Sequence, residues 1–297
     1  MSTFFLNRLT TEPHALAFAG QSTPWPVALA DQTTDPSLDE ALRGHVAAAN
    51  RLLSPAAADL LATTGRPVDL FGFTPNPAHL SAAADATASV EGVALTQLGA
   101  LLDLEHLGYS VAAAKPVAVL GHSQGVLAVH MTRAIEAAGS IEAAGKTLDE
   151  ILAVAALIGA AGTRRVRELG LNPKYGEASP MLSVKGATRE QVEALVKRVN
   201  NARGPISIAV TNSDNHHVLS GYPEDLAALA FETEREHKHQ AKLREQKLHG
   251  GTVFNPTLEY LEVTLPFHSP LMAEAVEQTV SWAGACGFDQ DLSLIHI

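Results

Sequence analysis

The fold is decided by one stretch of the sequence, PVAVLGHSQG at residues 116–125. Its first five residues form a short, continuous apolar run, which is typical of a strand buried on both faces of a parallel sheet. The residues that follow, 126–134, have the apolar spacing of a helix. The stretch therefore predicts a strand, a sharp turn and a helix, which is the repeating arrangement of an α/β protein.

The turn within this stretch has the pattern G-x-S-x-G, formed by Gly121, His122, Ser123, Gln124 and Gly125. On a strand-to-helix turn this pattern is a nucleophile elbow, in which the serine takes a strained backbone conformation. Glycine is needed on either side because larger side chains would collide with the neighbouring strand and helix. The hydroxyl is presented beside a helix N-terminus, whose free N–H groups can stabilise an oxyanion. We therefore predict that Ser123 is a nucleophile.

A serine nucleophile needs a base within hydrogen-bond reach, and the chain contains 13 histidines. His268 is the candidate because it follows residues 263–267, which predict a strand leading into a turn. It also precedes Ser269-Pro270, a predicted helix start. His268 would then lie at a strand end, as Ser123 does. The alternative is a surface histidine that caps a helix.

Two further pairs of histidines give no metal-binding pattern. His237 and His239 lie two positions apart on a predicted charged helix, so their side chains diverge. His216 and His217 are adjacent on a predicted strand and would point to opposite faces of it. We therefore predict that the protein has no metal site.

The charge and cysteine content restrict the partners and the compartment. With 32 acidic and 21 basic residues, the formal net charge is −11, which gives no general attraction for nucleic acid or anionic lipid. The longest apolar run, residues 151–162, is shorter than the roughly 20 residues of a membrane helix. Cys286 is the single cysteine, so no internal disulfide can form. We expect a cytoplasmic protein with no nucleic-acid or membrane partner.

One local basic cluster contrasts with the acidic whole, and it consists of Arg164, Arg165 and Arg167. It has two interpretations: a solvated helix surface, or contact with phosphate or an acidic partner.

The pattern along the chain changes near residue 179 and again near residue 264. Residues 1–178 contain the strand, turn and helix described above, together with a helix predicted over residues 90–106. Residues 179–264 alternate short strands with two helices, which suits a small sheet inserted into the larger domain. Residues 265–297 would return to the large subdomain.

The stretch GHSQG at residues 121–125 resembles the nucleophile motif of the malonyl/acetyl-CoA:acyl-carrier-protein transacylases. It is most similar to that of the acetyltransferase domain of type I fatty-acid synthases, of the fungal β-subunit and single-chain bacterial kinds. Four further stretches resemble this family in the same order, and the likeness covers about residues 15–275. They are AFAGQ at 17–21, SPMLSV at 179–184, NSDNHHVLSG at 212–221 and PFHS at 266–269.

The resemblance implies an α/β-hydrolase-like large subdomain with a parallel sheet and an inserted ferredoxin-like α+β subdomain. It implies that Ser123 accepts an acyl group from a CoA thioester, while His268 acts first as base and then as acid. The backbone N–H groups of Gln21 and Gln124 would hold the oxyanion. The phosphopantetheine thiol of an acyl carrier protein would then take the acyl group, with no bound cofactor. Other fatty-acid synthase domains would be further partners.

The acyl group is predicted from a single position. Malonyl-selective members of the family carry an arginine just before a glycine, on the helix that follows the nucleophile helix, and its fork binds the free carboxylate. The matching pair here is Ile158-Gly159. Because an apolar side chain cannot pair with a buried carboxylate, we expect acetyl-CoA or another short neutral acyl-CoA as substrate. A malonyl-type transacylase is the alternative.

Two other functions fit part of the sequence. A serine thioesterase shares the elbow and the serine-then-histidine order, with Asp214 or Asp225 as the acidic member. The second alternative is an inactive structural fragment of a synthase. Members of the family continue well beyond the histidine, whereas only residues 269–297 follow His268 here. We therefore expect the chain to be truncated.

Overall fold

The computed structural model describes the chain in eight ranges and divides it into two compact units. The first unit comprises Met1–Arg164 and Ala275–Ile297, and the second comprises Arg165–Glu274. The predicted insertion, residues 179–264, lies wholly within the second unit, and its exact boundaries remain predictions. The ranges described are 8–9, 11–21, 24–53, 69–73, 85–171, 178–200, 205–247 and 254–288.

The first unit combines a parallel pair of strands with helices. Strands β1 (Ala15–Phe18) and β2 (Ala118–Gly121) run parallel, and Phe18 is aligned with Gly121. Helix α5, which follows the elbow, packs against both strands. Among the described residues, the helices that begin in this unit include α1 (Trp25–Gln32), α2 (Pro36–Leu53), α3 (Ala86–His106), α4 (Val111–Ala114), α5 (Val126–Ala138) and α6 (Ile141–Glu168).

Helix α3 is the central helix of the first unit. It begins at Ala86, four residues before the predicted start, because the Asp85 side chain accepts a hydrogen bond from the Thr87 N–H at 2.8 Å and so caps the helix. Every residue from Ala86 to Gly99 is buried. This stretch is therefore buried on all sides, as expected of a helix in the core of its unit.

Strand β2 is less buried than its sequence predicts. The exposed fractions of Leu120 within β2 and of Val117 just before it are 59% and 72%, so the expectation of burial on both faces is wrong. Among the described residues, β2 pairs with β1 alone. A continuous apolar run therefore predicted the strand correctly, but burial depends on neighbouring layers that the run itself does not encode.

The second unit is built on an antiparallel sheet of four strands in the order β4-β5-β3-β6. The chain passes through strand, helix, strand, strand, helix and strand. Apolar residues of the helices and of one sheet face form the core, including Leu182, Leu219 and Leu226. The elements are β3 (Met181–Lys185), α7 (Arg189–Asn200), β4 (Ser207–Ser213), β5 (His216–Ser220), α8 (Pro223–Glu245) and β6 (Thr257–Tyr260).

The strand predicted over residues 263–267 is absent from this described segment, which consists of bends and turns. The last strand of the sheet, β6, lies earlier and pairs with β3. Val263, Leu265 and Phe267 are nevertheless buried, and so is Pro266, so the apolar run marks a buried segment without the alternation of a strand. Pro266 lacks the N–H that a ladder needs, and the Val263 N–H instead bonds locally to the Leu261 carbonyl at 2.9 Å. Helix α9 (Ala273–Ala285) follows this segment.

Within the described ranges, no helix is both long enough and apolar enough to span a bilayer. The same ranges contain no group of three or more His, Cys, Asp or Glu side chains placed to bind a metal ion.

Candidate active site

The nucleophile candidate lies on a strand-to-helix turn in the first unit. Strand β2 ends at Gly121, Ser123–Gly125 forms a single 3₁₀ turn, and α5 begins at Val126. Ser123 has a φ of 51°, in the left-handed region that a residue with a Cβ rarely adopts. Strain of this kind is held in place only where the surrounding structure determines it, and it is frequent at active sites.

The two glycines of the elbow have no room for a side chain. A Cβ on Gly121 would lie 2.5 Å from the Gly125 carbonyl group and from the Val126 nitrogen. A Cβ on Gly125 would lie 2.3 Å from the carbonyl oxygen of Phe18, at the end of β1. The turn is therefore compressed between β1 and the start of α5, and this compression holds Ser123 in its strained conformation.

The loop after β1 contacts the elbow and brings Gln21 to Gln124. A Cβ on Gly20 would lie 2.7 Å from the His122 carbonyl oxygen and 3.4 Å from the Gln124 nitrogen. The Gln21 side-chain amide donates a hydrogen bond to Oε1 of Gln124. The structure thus joins the side chains of the two residues whose backbone N–H groups the resemblance assigns to the oxyanion site, and that assignment remains a prediction.

Sequence reasoning missed Gln97 on helix α3. Its Nε2 donates a hydrogen bond of 2.6 Å to the carbonyl oxygen of Ala19, directly after β1. The Gln124 side chain makes a similar bond to the Val90 carbonyl oxygen of the same helix. The sequence offered no signal for this residue, because a lone glutamine matches no catalytic motif and the helix carries other polar residues, such as Glu91 and Thr96.

Ile158 is buried on helix α6, with an exposed fraction of 6%. The adjacent Gly159 allows α6 to approach the start of α3, since a Cβ there would lie 2.3 Å from the Ala86 carbonyl oxygen. Nearby, the hydroxyl groups of Thr87 and Thr163 share a hydrogen bond of 2.8 Å. Ile158 therefore offers an apolar surface with no cationic group of its own.

His268 lies in the second unit, in a turn that precedes the 3₁₀ turn Pro270–Met272. Its φ is 54°, so it occupies the same left-handed region as Ser123. The Ser269 hydroxyl closes the turn by donating to the Pro266 carbonyl at 2.6 Å. Ser269, rather than His268, occupies the N-cap position of the 3₁₀ turn. This observation does not favour the alternative in which His268 is a helix cap.

Arg165 is bound within the second unit to the segment that follows His268. Its Nε donates to the Leu271 carbonyl oxygen at 3.0 Å, and Nη1 lies 2.6 Å from a carboxylate oxygen of Glu274. Two of its donor nitrogens are therefore engaged by the protein itself. Of the two interpretations of the basic cluster, contact with phosphate is disfavoured at this position.

The acidic candidates for a hydrolase differ in burial, and both belong to the second unit. Asp214 is exposed in the turn between β4 and β5, whereas Asp225 is buried in the first turn of α8. Neighbouring histidines have structural partners: His216 Nε2 lies 3.0 Å from the Ser183 hydroxyl, and His217 Nδ1 lies 3.2 Å from the Thr211 hydroxyl. The assignment of an acidic third member remains a prediction.

Comparison with known proteins places the fold among acyltransferases. Residues 180–260 match the family described as the fatty acid synthase central AT domain. The malonyl CoA-acyl carrier protein transacylase of Coxiella burnetii is similar in structure, with a TM-score of 0.56 and 18% identity, over 92% of this chain and 68% of that one. No curated protein sequence matches the chain.

Two polyketide-synthase structures show the same likeness. A malonyl-transacylase solved in complex with its type II acyl-carrier protein gives a TM-score of 0.56 and 17% identity, over 91% of this chain and 69% of that one. A loading acyltransferase of the avermectin modular polyketide synthase gives a TM-score of 0.54 and 19% identity, over 91% of this chain and 67% of that one. The predicted α/β class is therefore confirmed, as the general fold of these acyltransferases.

Proposed function

We propose that the protein is an acyl-CoA:acyl-carrier-protein transacylase that forms an acyl ester on Ser123. The observation that carries this proposal is the elbow itself: Ser123 at a φ of 51°, compressed between β1 and α5, with the Gly20-Gln21 loop against it. This geometry presents a serine hydroxyl beside backbone N–H groups, which is what acyl transfer requires.

In the proposed cycle, His268 removes the Ser123 hydroxyl proton while the oxygen attacks the thioester carbonyl carbon. The backbone N–H groups of Gln21 and Gln124 stabilise the negative oxygen of the tetrahedral intermediate. Collapse of the intermediate breaks the carbon–sulfur bond, and the CoA sulfur leaves with the proton from His268. The phosphopantetheine thiol then repeats these steps in reverse, which regenerates Ser123 and yields the acyl carrier thioester.

We propose an acyl carrier protein as acceptor, with other fatty-acid synthase domains as further partners in a cytoplasmic setting. The match to a fatty-acid synthase domain supports this assignment, as does the similar transacylase solved with its carrier protein. We also propose that residues 179–264 form the inserted ferredoxin-like subdomain. The chain order of the second unit and its sheet order support that description.

The acyl group is proposed to be acetyl or another short neutral group. Ile158 is apolar and buried, and burying a free carboxylate against it would cost several kcal/mol. Malonyl is the second candidate, because two of the similar solved proteins are malonyl transacylases. Steady-state rates with acetyl-CoA and malonyl-CoA decide between them, since efficient malonyl loading would overturn the neutral-acyl proposal.

Labelling separates the transacylase from its rivals. The protein is incubated with radiolabelled acetyl-CoA or malonyl-CoA, and the labelled peptide is identified by mass spectrometry, with Ser123→Ala as control. A stable label on Ser123 that pantetheine discharges supports the transacylase. Rapid release of the acyl group to water would instead identify a thioesterase, and the absence of label from both substrates would identify an inactive structural fragment.

A further inference from the structure

Helix α3 is joined by side-chain amides to both segments that carry the proposed oxyanion donors. Gln97 bonds to the carbonyl of Ala19, two residues before Gln21, and Gln124 bonds to the carbonyl of Val90. Val90 and Gln97 are seven positions apart, which is close to two helical turns, so they lie on the same side of α3. One rigid helix therefore fixes the β1 loop and the elbow together.

The β1 loop needs such an anchor because of Gly20. Glycine is required there, since a Cβ would lie 2.7 Å from the His122 carbonyl oxygen. Glycine also leaves the backbone with the greatest freedom to rotate, just before the N–H of Gln21. An anchor on the Ala19 carbonyl fixes the Ala19–Gly20 peptide plane, and so removes much of this freedom.

Gln97 is well suited to this task. Only 8% of its surface is exposed, and its Nε2 lies 2.6 Å from the Ala19 carbonyl oxygen. A water molecule cannot replace this buried hydrogen bond from the side-chain amide unless the surrounding side chains rearrange.

We infer that Gln97 is a positioning residue, which directs the backbone N–H of Gln21 towards the oxygen that becomes negative during acyl transfer. This inference rests on the proposed function. Removing one oxyanion donor from an acyl-transfer enzyme lowers kcat by about 10²- to 10³-fold. Misdirecting a donor that is still present removes part of that effect, so we expect a loss of about 10- to 100-fold.

The test uses Gln97→Met, which keeps the size of the side chain and removes the N–H donor. The matched control is Gln32→Met, because Gln32 Nε2 also donates to a backbone carbonyl of α3, that of Thr96, at 2.9 Å. Both glutamines also have a buried Oε1 without a hydrogen-bond partner among the described residues. The two substitutions therefore remove equivalent bonds, and only one of these bonds leads to the site.

We expect Gln97→Met to lower kcat for transfer from acyl-CoA to pantetheine by about 10- to 100-fold, with KM changed less than about twofold. We expect Gln32→Met to leave kcat within about twofold, while both variants lower the urea midpoint by similar amounts. The reaction of a sulfonyl fluoride at Ser123 also builds negative charge on oxygen. The sulfonyl fluoride should therefore inactivate Gln97→Met more slowly than the parent protein, and Gln32→Met at the same rate as the parent.

Equal kcat values for the two variants would overturn the inference, because Gln97 would then act on stability alone. If Gln97→Met fails to fold, Gln97→Asn and Gln32→Asn repeat the comparison, with an intermediate loss of kcat expected for Gln97→Asn alone. The parent protein is assayed first for acylation of Ser123. If the parent protein is not acylated, the proposed function itself is refuted. If the parent is acylated and Gln97→Met has the same kcat as Gln32→Met, only the role of Gln97 is refuted.

Discussion

The turn that carries Ser123 and the turn that carries His268 place these residues in the same left-handed backbone region, with φ values of 51° and 54°. They are held there by different means. The elbow is compressed between backbone atoms, since Gly121 and Gly125 leave no space for a Cβ. The histidine turn is held by side chains, namely the Ser269 hydroxyl and the Arg165 guanidinium.

Because of this difference, we expect the two turns to respond differently to substitution. Backbone compression leaves no alternative conformation, so a single added methyl group disrupts the whole elbow. Side-chain anchors act one bond at a time, so their loss should reduce activity in steps.

Gly125→Ala should give the largest loss. Its Cβ would lie 2.3 Å from the Phe18 carbonyl oxygen, so β1 and the elbow must separate. We expect acylation of Ser123 to fall by more than about 100-fold, and the free energy of unfolding to fall by about 1–3 kcal/mol. Mass spectrometry of the labelled protein and urea unfolding measure the two effects.

Gly145→Ala is the control for this substitution. Gly145 lies on helix α6, and a Cβ there would meet no atom within 4 Å. Alanine favours a helix over glycine by about 1 kcal/mol, so this variant should label normally and unfold at a higher urea concentration. A Gly125→Ala protein that labels as well as Gly145→Ala would contradict the compressed elbow.

Arg165→Met should have the second largest effect. It removes the bond to the Leu271 carbonyl and the ion pair with Glu274, so the segment after His268 loses its anchor. We expect kcat to fall about 10-fold with little change in KM, because base geometry matters most in the transition state. Arg189→Met, which removes the exposed ion pair with Glu193, should leave kcat unchanged. If Arg165→Met and Arg189→Met have equal kcat values, Arg165 has no role in the turn.

Ser269→Ala should have a smaller effect on the same turn. It removes a single hydroxyl-to-carbonyl bond of 2.6 Å, worth about 1 kcal/mol. We expect kcat to fall about two- to fivefold, as measured in the pantetheine transfer assay. Thr34→Ala is the control, because the Thr34 hydroxyl also donates to the backbone carbonyl three residues earlier, that of Asp31. This substitution should not change kcat. A loss as large as that of Gly125→Ala would remove the distinction between the two turns.

The smallest predicted effect concerns pH and helix α5, which follows the elbow. Burial lowers the pKa of His130 below its ordinary value. The folded protein therefore binds this proton more weakly than the unfolded chain does. The resulting stability is present above about pH 6.5 and is lost as the pH falls through the lower pKa of the folded state.

His130→Gln should consequently make the urea midpoint depend less on pH between about 5 and 7. His106→Gln, on the exposed surface of α3, is the matched control. If the urea midpoints of the parent protein and of His130→Gln depend equally on pH, the lowered pKa of His130 does not contribute to stability.

The elbow could be predicted from the sequence because its determinants are local. Glycine, serine and glycine at fixed spacing encode the turn, and the residues before and after them encode the strand and the helix. The contacts that support the two turns are not local. Gln97 and Ala19 are 78 positions apart, and Arg165 and Leu271 are 106 apart, so no short pattern contains either pair.

Two errors had a related cause, because an apolar run records neither backbone pairing nor how far other segments cover a strand. The apolar residues 263–267 form a buried segment of bends and turns, and the apolar run before the elbow formed a strand with exposed side chains. Pro266 was the available warning in the first case, since proline disfavours a central strand. In the second case the answer depended on which other segments cover β2, which the stretch itself cannot report.

The exposed apolar side chains of β2 have a practical consequence for handling the protein. Leu120 lies on β2 and Val117 directly before it, and among the described residues the outer edge of β2 has no partner; such an edge is a template for pairing with another molecule. Aggregation should therefore begin at this strand when the protein is concentrated. The two side chains are the natural first positions for solubilising substitutions, because changing them leaves the compressed turn beside them intact.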